Sequence, residues 1–130
     1  MAKSPSHKRG SGAAPLWELW RESAHPIAPE GQPGAFHRNL RPVSIDGSTL
    51  DVTDTAENAA HFGRQESSRG MAAFPQLRFV ALCESGTHAI FAVSMGSCRT
   101  HELTLAGEVI GALAPGMLCL ADRLYPGFDL

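Results

Sequence analysis

Two aspartates, Asp46 and Asp122, each follow a short apolar run and are the side chains of this sequence best suited to chemistry. The first run reads Val43-Ser44-Ile45-Asp46-Gly47 and the second Met117-Leu118-Cys119-Leu120-Ala121-Asp122-Arg123. Short apolar runs bounded by turn signals are the sequence mark of strands. Carboxylates at the ends of two neighbouring strands offer rigidly held oxygen ligands, the kind a hard divalent cation takes. A two-metal phosphoryl-transfer centre calls for a third carboxylate further along, and this sequence stops eight residues after Asp122. The expected site is therefore incomplete.

Each aspartate also has a plainer reading. Asp-Gly between β-type residues is the strongest short hairpin signal, so on pattern alone Asp46-Gly47 is a tight turn. Asp122-Arg123 after a strand fits a turn start or a surface ion pair. Other chemistry has less support. Cys98-x-x-His101, with Cys83, His88 or His61, gives one close ligand pair where a structural zinc site shows two. Ser48, Ser68 and the six histidines lack the G-x-S-x-G elbow of a hydrolase. Gly10-x-Gly12 does not follow a strand, so it is no phosphate-cradling loop. Arg64 and Arg69 stand where they can contact phosphates or simply be solvated.

The elements that must position these residues are legible in outline. Residues 1–15, rich in Ser, Gly, Lys and Pro, read as a disordered basic arm. Residues 16–42 form an irregular lead-in, with two helical turns over Leu16–Ala24 that put Leu16, Leu19 and Trp20 on one side. The folded domain is expected over residues 43–130. Its first strand is VSIDGSTLDV. Thr53–Phe74 reads as a long loop with a helical turn near Ala56–Ala60. QLRFVALCE and THAIFAVSM, broken at Ser85-Gly86, make an antiparallel hairpin. Thr100 then caps a helix with Glu102 in its first turn and a buried stripe of Leu103, Ala106, Ile110 and Leu113. Pro115-Gly116 stops the helix, and MLCLAD is the last strand. The expected fold is α/β: three antiparallel strands, and a fourth brought parallel to the first by a crossover helix. That topology places Asp46 and Asp122 on adjacent strands.

Composition bounds the rest. At 130 residues and 43% hydrophobic content the chain is one domain's worth of globular sequence. A net charge of −2 is not the strongly basic footprint of many nucleic-acid binders. Residues 1–42 hold six Lys/Arg against three Asp/Glu, and residues 43–130 hold five against ten, so a basic leader precedes an acidic domain. Three widely spaced cysteines suit a cytosolic protein without disulfides. No signal peptide is read at the start, and no run approaches the ~20 apolar residues of a membrane span.

Several stretches are long enough to carry a resemblance: SIDGSTLDVTDTAENAAHFGR, SSRG, AFPQLRFVALCESGTHAI, CRTHELTLA and PGMLCLADRLYPGFDL. With the lead-in ELWRESAHPIAPEGQPGAFHRNLRPV, the region from Leu16 to Leu130 resembles bacterial insertion-sequence transposases of the DDE type, in the insertion sequence four family. The resemblance implies a truncated ribonuclease-H-like fold. It implies that Asp46, within a continuing strand, and Asp122, after the fourth strand, are the first two acidic residues of the catalytic triad. In that family the triad holds two magnesium (or manganese) ions, Asp46 bridging both and Asp122 holding one, for metal-dependent cleavage and strand transfer of DNA. Arg64, Arg69 and Arg123 become candidate DNA contacts.

The departures shape the expectation. The third acidic residue, with its Tyr/Arg/Glu/Lys surroundings, and the amino-terminal DNA-binding region do not match anything in this sequence. Leu124-Tyr125-Pro126 replaces the family's Gly or Asn followed by aromatics after Asp122-Arg123. The expected function is a central piece of a DDE transposase, inactive in strand transfer alone and binding metal weakly or not at all. Its expected partner is transposon-end DNA, with no membrane, in the cytoplasm at the nucleoid. One alternative is a non-catalytic protein that pairs with full-length transposase and inhibits it. Another is an unrelated small binding domain with Asp46 and Asp122 far apart.

Overall fold

A computed structural model of the protein describes residues 12–123 and residue 125. Most of the arm expected over residues 1–15 lies outside those residues. Helix α1 (Ala14–Ser23) starts at a Pro in its first turn and has no buried residue. Strand β1 (Arg41–Asp51) opens the sheet, and helix α2 (Ala56–Phe62) and a two-residue-per-strand hairpin, β2 (Glu66–Ser67) with β3 (Gly70–Met71), follow. Strands β4 (Gln76–Glu84) and β5 (Ile90–Ser97), helix α3 (Glu102–Val109), a 3-10 turn over Ile110–Ala112 and strand β6 (Met117–Ala121) complete the chain. The main sheet has the order β5-β4-β1-β6. Only the β1–β6 pair is parallel; β1–β4 and β4–β5 are antiparallel. This is the expected α/β topology, with α3 on the crossover.

β1 runs straight through Asp46-Gly47, Asp46 lying opposite Ala81 and Gly47 opposite Val80. The tight turn suggested by pattern alone does not form. A two-residue turn would pair Ser48-Thr49-Leu50 with the residues just before it. Pairing with β4 instead buries Val43 and Ile45 alongside Val80 and Leu82, an apolar gain of roughly 1.5–3 kcal/mol per side chain that local turn propensity cannot match.

The core lies between this sheet and α3, built from Ile45, Val80, Leu82, Leu105, Ala106, Val109 and Tyr125. The expected helix stripe is shifted. Leu105, Ala106 and Val109 are the buried side chains, and Leu103 and Leu113 pack at the margin. Thr100 is not the cap. His101 occupies that position without a side-chain bond. The Thr100 hydroxyl lies instead 3.3 Å from Ser97 Oγ, and its side chain fills the space left by Gly96. The long loop is more structured than expected. Thr55 Oγ1 caps α2 by accepting the Asn58 N–H at 3.2 Å, and Gly63, at φ +75°, ends it.

One buried carboxylate ties the lead-in to the sheet. Glu84 is fully buried at the end of β4 and accepts the backbone N–H groups of Ile27 and Ala28, each at 3.0 Å. It also accepts from Arg41 and from the Thr87 hydroxyl. Ala28 and Ala35 are buried against this corner. Among the described residues, no helix is long and apolar enough to cross a membrane.

Candidate functional site

The pairing of β1 with β6 decides where the two aspartates stand. Arg41 is level with Met117, and the register continues to Ile45 level with Ala121. Asp46 and Asp122 are each the next residue after that last pair, where neighbouring strands run about 4.8 Å apart. Only Asp122 ends its strand. Asp46 sits inside β1, at the point where β6 stops and leaves that edge of β1 open. Both side chains are exposed, so a ligand can reach them. The Asp46 carboxylate also accepts its neighbour Gly47's N–H at 2.9 Å.

Two residues that sequence reasoning did not assign to the site lie next to it, on the α3 side of the sheet. Glu102, read only as a favourable charge in the first turn of α3, lies directly over Gly47. A Cβ at Gly47 would fall 2.6 Å from the Glu102 Cδ, so glycine is what lets α3 sit this close to β1. Tyr125, three residues after Asp122, is buried in the core at 3% exposure. Its hydroxyl donates to Glu102 Oε1 at 2.5 Å, and its N–H donates to the Asp122 carbonyl at 3.0 Å. Burial first, then that hydrogen bond, then the charges of Glu102, Asp46 and Asp122 push the phenol well above its ordinary range. Three carboxylates thus act on one buried hydroxyl. The sequence marked Tyr125 only as part of a departure from the family pattern, and nothing in the spacing linked it to Glu102.

The donors are all oxygens, which suits magnesium or manganese rather than a softer metal. Among the described residues, no three His, Cys, Asp or Glu side chains converge to hold a metal ion. Two carboxylates alone offer a cation too few protein ligands for a closed site, so any cation there would need water or substrate phosphates to complete its shell. The Cys98/His101 pair does not assemble with other ligands. Cys98 is buried, its N–H bonded to the Phe62 carbonyl at 2.9 Å, while His101 is exposed. Burial and then the Glu84 charge push the Cys83 thiol up, away from nucleophilic use.

The three arginines singled out in the sequence separate in space. Arg123 is exposed beside Asp122. Arg69 is exposed in the turn of the β2–β3 hairpin. Arg64, just past α2, pairs with Asp54 at 2.5 Å and donates to the Ala73 carbonyl. It lines a separate cavity of about 450 Å³ together with Arg78 and Arg99.

Comparison with known proteins then decides the lineage. Over 120 residues, 92% of this chain, the sequence is 28% identical to InsZ of Escherichia coli (strain K12), a protein named as a transposase. Over 88 residues, 68% of this chain, it is 32% identical to "Transposase InsG for insertion sequence element IS4" of the same strain. The chain is a homologue of insertion-sequence transposases. It spans 40% of the length of InsZ and 20% of InsG. No family model and no solved structure matches it.

Proposed function

We propose that this transposase homologue carries part of a magnesium-dependent phosphoryl-transfer centre for DNA, on a ribonuclease-H-like fold, with Asp46 and Asp122 as its first two acidic residues. The observation that supports the reading is the parallel β1–β6 register, whose last pair, Ile45 with Ala121, immediately precedes the two aspartates. The transposase names of both relatives support DNA as the partner, with transposon ends as the expected substrate and the cytoplasm at the nucleoid as the expected place.

The chain's own residues do three things in this reading. Asp46 and Asp122 hold a divalent cation with one side open to substrate. Bound there, the cation would neutralise charge on a scissile phosphodiester and favour attack by water or a 3′-hydroxyl. Tyr125 and Glu102 fix the loop after Asp122 against α3, so the two aspartates keep one relative position. Positioning and electrostatics are most of what phosphoryl transfer asks of a protein. Two carboxylates alone hold two cations poorly, because like charges and missing ligands must be compensated by other groups. The expected activity of the isolated chain is therefore slow nicking at most, without strand transfer.

The test is nicking of supercoiled or terminal-repeat DNA by purified protein in magnesium and in manganese. Strand transfer should be absent. Any nicking should disappear in Asp46→Asn and in Asp122→Asn while binding of DNA persists. Strand transfer by the wild-type chain, or nicking that survives both substitutions, overturns the reading.

A second reading has a specific observation behind it. β6 is an edge strand of the main sheet, with Leu120 at 48% exposure, and an open edge recruits other strands. The chain would then pair with a full-length transposase and inhibit it. Co-purification with an intact transposase of the same element, coupled to loss of that enzyme's activity, supports it; failure to associate at micromolar concentration removes it.

A further inference from the structure

We infer that the arginine-lined cavity between α2, the β2–β3 hairpin and the β5–α3 turn is a seat for phosphate groups of a nucleic-acid backbone, separate from the aspartate rim. This rests on DNA being the partner, but it does not depend on the metal centre.

The cavity has about 450 Å³ of room and is lined by Arg64, Arg78 and Arg99, with Gly63 and Cys98 at its floor and Glu66 at its margin. The three guanidiniums come from three separate places in the chain, so no single solvated charge run explains them. Arg78 projects from β4, the rigid centre of the molecule, and uses Nη1 to donate to the Thr100 carbonyl at 3.0 Å. That single neutral acceptor leaves most of its five donors free. Among the described residues, Arg99 has no side-chain hydrogen bond or ion pair. Arg64 is held by Asp54 and the Ala73 carbonyl, which makes it a fixed wall. Asp54 is thereby engaged, and Glu66 is the one carboxylate lining the cavity.

A competing explanation is that the arginines serve the carbonyls at the end of α2. Three carbonyls there already have backbone donors. Ala59 accepts from Gly63 N–H at 3.1 Å, Phe62 from Cys98 N–H at 2.9 Å and Gly63 from Gln76 N–H at 2.9 Å. Arg99 and the remaining donors of Arg78 are left for something outside the protein. Its chemistry follows from the walls. Guanidiniums in fork geometry bind phosphate oxygens best. A free nucleotide would also need a slot for its base, and the lining has no aromatic side chain, only Met71 and Ala59 as apolar groups. A polymer backbone, which presents phosphate and leaves the bases elsewhere, fits better.

Placement keeps the two sites apart. Arg78 lies opposite Thr49 on β1, three residues along the strand from Asp46, and strand alternation sends those two side chains to opposite faces of the sheet. The arginine seat thus holds a backbone independently of the aspartates.

The test uses the full chain carrying Asp46→Asn, without divalent metal, so that a failed catalytic reading cannot mask the result. Binding of a fluorescent duplex is followed by anisotropy across a salt series. Arg99→Gln and Arg78→Gln should each weaken binding about five- to tenfold and flatten the salt dependence by roughly one ion. Glu66→Gln should tighten it, an effect no loss of folding can mimic. Arg21→Gln, on α1, should leave it unchanged. Wild-type affinity and salt slope in both arginine variants overturn the proposal. Because the Arg99 side chain holds nothing in the fold, Arg99→Gln remains decisive should Arg78→Gln misfold. Inorganic phosphate competing as well as an oligonucleotide, phosphate for phosphate, would instead overturn the choice of a polymer backbone. Nicking that survives Asp46→Asn and Asp122→Asn, with these binding effects intact, would sink the proposed function alone.

Discussion

Glu84 is the residue with the most to lose. A carboxylate with no exposed surface survives only because four donors converge on it. Burial alone would raise its pKa, but the bonds from Thr87, the Ala28 and Ile27 N–H groups and Arg41 outweigh that and hold it at about 2. The folded pKa thus lies below the ordinary value of 4.5, so the folded state binds its proton less readily than the unfolded chain. The stabilisation is present above about pH 4.5 and is lost as pH falls from there towards about 2. Glu84→Gln should cost about 3 kcal/mol at neutral pH, since it leaves Arg41 without its counter-charge. It should also flatten the melting temperature over that acid window. A variant whose acid sensitivity matches the wild type would show that other carboxylates govern it.

At the scale of elements, the docking of α3 on β1 is what builds the rim. It depends on Gly47, because any side chain there meets Glu102. The group it meets is the end of a flexible chain, so Gly47→Ala should displace Glu102 rather than unfold the sheet. The expected cost is about 1–2 kcal/mol, in line with overpacking and with the loss of the Tyr125 bond. In a double-mutant cycle followed by urea unfolding, Glu102→Ala should erase most of the effect of Gly47→Ala; additive losses would separate the two residues. How much of this was legible in the sequence follows from which forces set each part. The strand runs, the hairpin from Gln76 to Ser97 and the crossover topology could be read because apolar pattern and turn residues specify them locally. The continuation of β1 through Asp46-Gly47 could not be read from pattern, since a distant partner, β4, overrides the turn signal; only family likeness pointed that way. The Tyr125–Glu102 bond and the burial of Glu84 are side-chain meetings across the fold, and sequence spacing carries no record of them. The hairpin at Glu66–Met71 was missed because two-residue strands have no periodicity to detect.

For the whole molecule, the controlling fact is that α3 covers one face of a four-stranded sheet. Strand alternation sends Val43, Ile45, Val80 and Leu82 to the α3 side and Leu118, Leu120, Phe79 and Ala81 to the other. On that other face α1 meets only the β5 corner, where Trp17 and Trp20 lie near Val93 and Met95. Leu120 and Met95, at 48% and 49% exposure, remain open to water, and among the described residues no strand pairs with the outer edge of β6. A face of this kind drives association, because burying apolar surface against another copy returns roughly 25 cal/mol per Å². The chain should therefore self-associate at tens of micromolar. Leu120→Lys, which places a charge at the exposed edge without touching the core, should shift it towards monomer while changing the melting temperature little. Sedimentation velocity over a concentration series separates the outcomes. A wild-type chain that stays monomeric at hundreds of micromolar would mean that α1 and the lead-in screen this face, and the argument for an open edge, with the pairing reading built on it, would fall together.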